Sequence, residues 1–159
     1  MFLMVTILGG LLLAGCSKDS SEAVEPVEPE LTTNEMMDKM LEEVEQPMLM
    51  ELQADQVQDV YNLDPEMLEE YSIRIPMMNV KSNEMAILKV KNKEDVPEVE
   101  EAVKQRAETV KKQFETYLPD QYENAENYKL VTKGNYVLFV ISAEADELVT
   151  IYDSFFTKQ

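Results

Sequence analysis

Hydrophobic and polar positions along the chain change rhythm several times, and each change marks an element. Residues 2–14, FLMVTILGGLLLA, form an uncharged apolar run of 13 residues that closes on Ala14, Gly15 and Cys16. Such a run is too short to span a bilayer, which takes roughly 20 apolar residues, and has the proportions of a signal-peptide core. Residues 17–34 then mix Ser, Glu, Pro26 and Pro29 with few large apolar groups. Burial there cannot offset the entropy of ordering, so the segment reads as a disordered acidic spacer.

Helical spacing follows. Thr32 and Glu35 stand at capping-box separation, and Met36, Met37, Met40, Leu41 and Val44 recur on one face until Pro47. Asp55 with Gln58 marks a second short helix through Tyr61, and Asp64-Pro65 opens a third. From Tyr71 the period drops to two: Tyr71, Ile73, Ile75 and Met77 alternate with polar residues or proline, and MAILKVK follows the turn-like Lys81-Ser82-Asn83-Glu84. Asn92 to Asp95 then caps a long helix with Val96, Val99, Val103, Val110, Phe114 and Tyr117 on its apolar face, stopped by Pro119. The order repeats with a strand at 128–132, a turn at Lys133-Gly134, the strand YVLFVI, and a last helix capped by Ser142 with Leu148, Ile151, Tyr152, Phe155 and Phe156 on its buried side.

The expected fold is therefore α+β. Two ββα units (71–118 and 119–159) form a four-stranded, mainly antiparallel sheet with helices packed on it, preceded by short acidic helices at 35–70. The strand Tyr136–Ile141 is apolar at every position, which requires cover on both faces. Two amphipathic helices are expected on one face, and the amino-terminal helices or a partner on the other.

Charge sharpens this division. The chain has a formal net charge of −18, and residues 35–70 hold Lys39 against twelve carboxylates. An acidic surface of this kind excludes nucleic acid as a partner, because phosphate binding needs clustered Lys and Arg.

The amino terminus carries the most specific chemistry. Leu13-Ala14-Gly15-Cys16 resembles the lipobox of bacterial lipoproteins, which implies cleavage between Gly15 and Cys16 and lipidation of Cys16, the only cysteine of the chain. Two acyl chains on that thiol would hold the protein to a membrane, at about 0.8 kcal/mol per buried methylene. The usual Lys or Arg ahead of the apolar core is absent, which points to a start upstream of Met1. With Cys16 lipidated, no thiol remains for a disulfide.

Catalytic chemistry is sparse. The chain has no histidine, which removes Ser-His and Cys-His nucleophilic sites and histidine-based metal sites. No cofactor, metal site or catalytic residue is expected. Paired carboxylates such as Glu42/Glu43, Glu69/Glu70 and Glu100/Glu101 leave a glycosidase-like mechanism open in principle, but in so acidic a chain adjacent pairs arise without catalytic meaning and solvated helix faces are the better explanation. The nine methionines after the signal segment admit three accounts: core filling, which is the simplest, an adaptable binding surface, and copper(I) binding, which would need converging thioethers and has no His or Cys to support it. The second centres on Ile75, Pro76, Met77, Met78 and Asn79, where proline interrupts a strand as it does at a sheet edge and presents apolar surface to a protein partner.

The segments QPMLMEL, IPMMNVKSNEMAILKVK, YLPDQYE and YKLVTKGNYVLFVIS, in this order, resemble an uncharacterised bacterial lipoprotein family, domain of unknown function 4358, found mainly in Gram-positive bacteria. The resemblance covers about residues 35–157. It implies a lipid-anchored domain on the outer face of a cell membrane and supplies no activity, substrate or catalytic residue. The expected role is a non-enzymatic binding or scaffolding module of the cell envelope. The alternatives are capture of a small ligand or cation for a transporter, and a carboxylate-based hydrolase of cell-wall glycan.

Overall fold

A computed structural model describes residues 27–157. Gly15, Cys16 and the spacer up to residue 26 lie outside the described residues.

The first element is the helix α1 (Thr33–Glu43), whose capping box forms as the spacing predicts: Thr32 Oγ1 accepts from the Glu35 amide and the Glu35 carboxylate accepts from the Thr32 amide at 2.8 Å. A short strand β1 (Leu49–Glu51) and the helix α2 (Ala54–Tyr61) follow; α2 ends on Asn62 in the left-handed region that asparagine tolerates. Pro65–Met67 makes one turn of 3-10 helix rather than a third α-helix. The strands β2 (Leu68–Pro76) and β3 (Glu84–Val90) lead to the long helix α3 (Val96–Phe114). A helix that the sequence reading missed, α4 (Pro119–Glu126), precedes β4 (Lys129–Lys133), β5 (Tyr136–Ile141) and α5 (Ala145–Ser154). Pro119 thus starts a helix at its first position, where the missing N–H costs nothing, while α3 has already ended at Phe114.

The strands form one antiparallel sheet in the order β1-β2-β3-β5-β4. The α+β class and the four expected strands are all present, and β1 adds a fifth beside β2. Glycine is needed at one position only: Gly134, at φ 62°, opens the two-residue turn that joins β4 to β5.

The side-chain alternation of β3 and β5 sorts the helices. Ala86, Leu88 and Val90 with Val137, Phe139 and Ile141 face α2, α3 and α4, in a core completed by Val57, Tyr61, Val99, Val103 and Phe114. Met85 and Ile87 with Tyr136, Leu138 and Val140 face α1 and α5, meeting Met36, Met37, Met40, Leu148, Tyr152 and Phe156. The two amphipathic helices therefore lie on opposite faces, not on one, and each is joined by an amino-terminal helix. The pairing is α2 with α3 and α1 with α5. Every side chain of β5 is buried, so the sheet is the middle of three layers. Each large apolar side chain so removed from water contributes about 1.5–3 kcal/mol.

Candidate functional site

Large apolar side chains left in solvent are concentrated at one corner of the sheet. Among the described residues they are Met48, Met50, Met77, Met78, Val80 and Tyr117. Three of these belong to β1 and its ladder. Met50 pairs with Ile75 and the Met77 amide donates to the Met48 carbonyl at 3.1 Å, so Met48, Met50 and Met77 share one face of the sheet with Ile75. That is the α2/α3 face, because Leu49 between them packs toward α1 and α5. The three methionines extend the first core outward beyond the last covering helix. Met48 is 70% exposed, and Met77 and Met78 are 55% and 52% exposed.

The connection between β2 and β3 completes the corner. Residues 77–80 are exposed, and the Tyr117 hydroxyl, at the carboxyl end of α3, donates to the Asn79 carbonyl at 3.3 Å. Tyr117 also stacks on Phe114 at 5.5 Å between ring centroids, which ties the loop to the buried face of α3. Tyr117 itself is exposed, unlike its expected place on the apolar stripe of that helix.

Of the five residues expected to form the edge, Met77, Met78 and Asn79 are exposed, while Ile75 and Pro76 are half-buried within β2. Their strand is not the edge. β1 lies outside it, with Leu49 opposite Pro76. Proline is tolerated at residue 76 because odd residues of β2 bond to β1 and even ones face β3, whose pairing with β2 stops at Arg74 and Met85. The missing N–H of Pro76 therefore points past the end of the ladder.

A buried polar cluster underpins this corner. Glu84, the first residue of β3, is 1% exposed and accepts from Arg106 of α3, with Nε at 2.9 Å from Oε1 and Nη2 at 2.7 Å from Oε2. The Tyr61 hydroxyl at the end of α2 donates to Glu84 Oε1 at 2.5 Å, and the Arg106 guanidinium lies 5.9 Å from the centre of its ring. Burial and the adjacent Glu84 charge push the Tyr61 hydroxyl well above its ordinary pKa, so it remains a donor. Burial opposes the charge on Arg106, but the hydrogen bonds and charge of Glu84 outweigh it and raise its pKa. Next to Glu84, the Ser82 amide donates to Gln121 Oε1 of α4 at 2.9 Å, and Asn83 Nδ2 donates to Gln46 Oε1 at 3.0 Å.

Ser82, Asn83 and Glu84 are thus not an exposed turn but three consecutive buried polar residues that fasten β3 to α2, α3, α4 and the segment entering β1. One signal marks this in the sequence: Arg106 sits inside the apolar stripe of α3, between Val103 and Val110. The cluster is closed and fully paired, so it positions the corner rather than offering a reactive group.

Other chemistry is dispersed. Glu42, Glu43, Glu69 and Glu101 lie in solvent, Glu70 accepts from the Thr33 amide at 3.2 Å, and Glu100 accepts from the Thr132 hydroxyl. Among the described residues, no group of three or more acidic, His or Cys side chains could hold a metal ion. No helix described is long and apolar enough to cross a membrane.

Residues 42–142 match the model of a family described as Domain of unknown function (DUF4358). No curated protein and no solved structure matches the chain.

Proposed function

The chain belongs to the DUF4358 family, a domain of unknown function matched over residues 42–142, and from its surface we propose that its activity is binding rather than catalysis. The protein is a non-enzymatic lipoprotein of the cell envelope, cut between Gly15 and Cys16, anchored by lipid on Cys16 to the outer face of the membrane, and docking another envelope protein. The observation that carries the docking is the gathering of the exposed large apolar side chains at one corner, from Met48 to Tyr117. Methionine suits such a surface because its unbranched thioether adapts to different partners. The lipobox-like Leu13 to Cys16 supports the anchor.

Two measurements test the reading. Cys16→Ser should abolish incorporation of labelled palmitate and release the protein from membranes; unchanged labelling refutes the anchor. Cross-linking and recovery of partners from intact membranes, with Met77→Asp, Met78→Asp as the comparison, tests the corner. Loss of specific partners in that variant supports it, and equal recovery of every partner overturns it.

A further inference from the structure

We propose that β1 is a docking strand: an extended segment of an envelope protein, apolar at alternate positions and flanked by Lys or Arg, adds beside Leu49–Glu51 as a sixth strand. This rests on the reading of the corner as a binding surface and specifies the chemistry of its occupant.

The backbone carries the first part of the inference. The bonds from Met77 N–H to the Met48 carbonyl and from the Leu52 N–H to the Ile73 carbonyl show that residues 48, 50 and 52 turn their backbone groups toward β2. By the alternation of an antiparallel ladder, the N–H and C=O groups of Leu49 and Glu51 point the other way. β1 ends the sheet order, and nothing among the described residues pairs with those four groups. The ladder from Met48 to Leu52 is about 13 Å long at the usual rise, enough for a short peptide strand to bond along it.

Charge selects the occupant. Residues 42–59 hold six carboxylates and no Lys or Arg, and β1 lies at the middle of that run. Glu45, Glu51 and Asp55 are exposed around it. A second copy of this chain would bring the same carboxylates against these, so self-pairing is disfavoured, while a basic segment gains attraction at every flank. Met48 and Met50 then supply apolar contacts on one side of the added strand, next to Met77. Short length and the acidic charge of Glu51 are what blunt this edge, and both act against a second copy or an acidic strand, while Met48 and Met50 favour an apolar strand with basic flanks.

The test uses the full chain in detergent and a synthetic peptide of alternating lysine and isoleucine. Isothermal calorimetry should show binding that weakens as salt rises and falls by about tenfold or more when alternate peptide nitrogens are methylated, roughly the loss of one or two interface hydrogen bonds. Glu51→Pro removes an outward N–H without touching the β1–β2 ladder, and Glu51→Gln removes the charge alone; the proline variant should lose clearly more affinity. Binding that ignores methylation and Glu51→Pro refutes strand addition. If in that case Met77→Asp, Met78→Asp still abolishes partner recovery, the corner stands as a docking surface and only the strand mechanism fails. Concentration-dependent dimers of the native chain that Glu51→Pro dissolves would assign the edge to a second copy and overturn the basic partner.

Discussion

At one edge of the sheet Lys129 and Lys133 of β4 reach Asp146 and Asp153 of α5 at 2.7 and 3.1 Å, whereas at the other the side chains on and beside β1 are Met48, Met50 and Glu51. The β4 lysines place charge on the rim, and α5 lies over the same face. Inserting such an edge against a foreign strand would strip water from ammonium groups. Among the described residues, β1 has no such guard on its exposed face. Its ion pair among the described residues, Glu51 with Arg74 at 3.8 Å, lies on the opposite side, toward α1 and Asp38. Two strands with the same topological position thus carry opposite instructions, one closing the sheet and one leaving it open. The difference resides in which residues face outward, not in the fold.

The largest expected effect comes from removing the support under the open edge. Arg106→Leu leaves Glu84 buried beside Tyr61 without its cation, and urea unfolding should show a loss of about 3–5 kcal/mol. A loss below 1 kcal/mol would mean that the buried pair does not hold α2 and α3 against the start of β3.

Next is the reversal of the closed edge. Lys129→Val with Lys133→Val should turn β4 into an apolar rim and produce concentration-dependent association in sedimentation velocity, with each lost pair costing only about 0–1 kcal/mol of stability. An unchanged monomer would show that α5, not charge, protects that edge.

The methionines divide the same way and provide a graded probe. Met36, Met37, Met40 and Met85 are fully buried against β3, β5 and α5, while Met48, Met50, Met77 and Met78 face solvent. Dilute peroxide should convert the second set to sulfoxide well before the first, read by peptide mass mapping. Met77→Asp, Met78→Asp should leave the unfolding midpoint almost unmoved, within about 0.5 kcal/mol, since nothing in the core depends on them.

Tyr152 is the control that touches neither edge. Its hydroxyl is buried with no hydrogen-bond partner among the described residues, so Tyr152→Phe should be neutral or raise stability by up to about 1 kcal/mol. Burial raises the pKa of both Tyr61 and Tyr152 in the folded chain. The folded state then holds these protons after the unfolded state has released them, so stability is intact below the ordinary tyrosine value near 10 and falls as pH rises beyond it. Tyr152→Phe should flatten that alkaline decline.

How much of this was legible beforehand depends on the reach of each signal. The helices and central strands announced themselves through periodicity, because a whole face of each is buried. β1 did not, because three residues between Pro47 and α2 are too few for a period, and their strand character comes entirely from the bonds to β2. For the same reason the pattern ending at Ile75–Asn79 points to β2 as the edge, one strand too far inward. Ser82, Asn83 and Glu84 looked like a turn because polarity reports solvent only when no partner is near, and their partners Gln121, Gln46, Arg106 and Tyr61 are distant in sequence.

By itself the sequence determined the alternation of strands and helices, the requirement that β5 be covered on both sides, the acidic front, and the absence of histidine chemistry, since each is a property of local order or composition. Only the tertiary structure decided that α3 and α5 take opposite faces, that four methionines are core and four are surface, and that β1 rather than β2 ends the sheet. Those outcomes depend on which residues meet across long separations, and no local pattern of side chains contains that information.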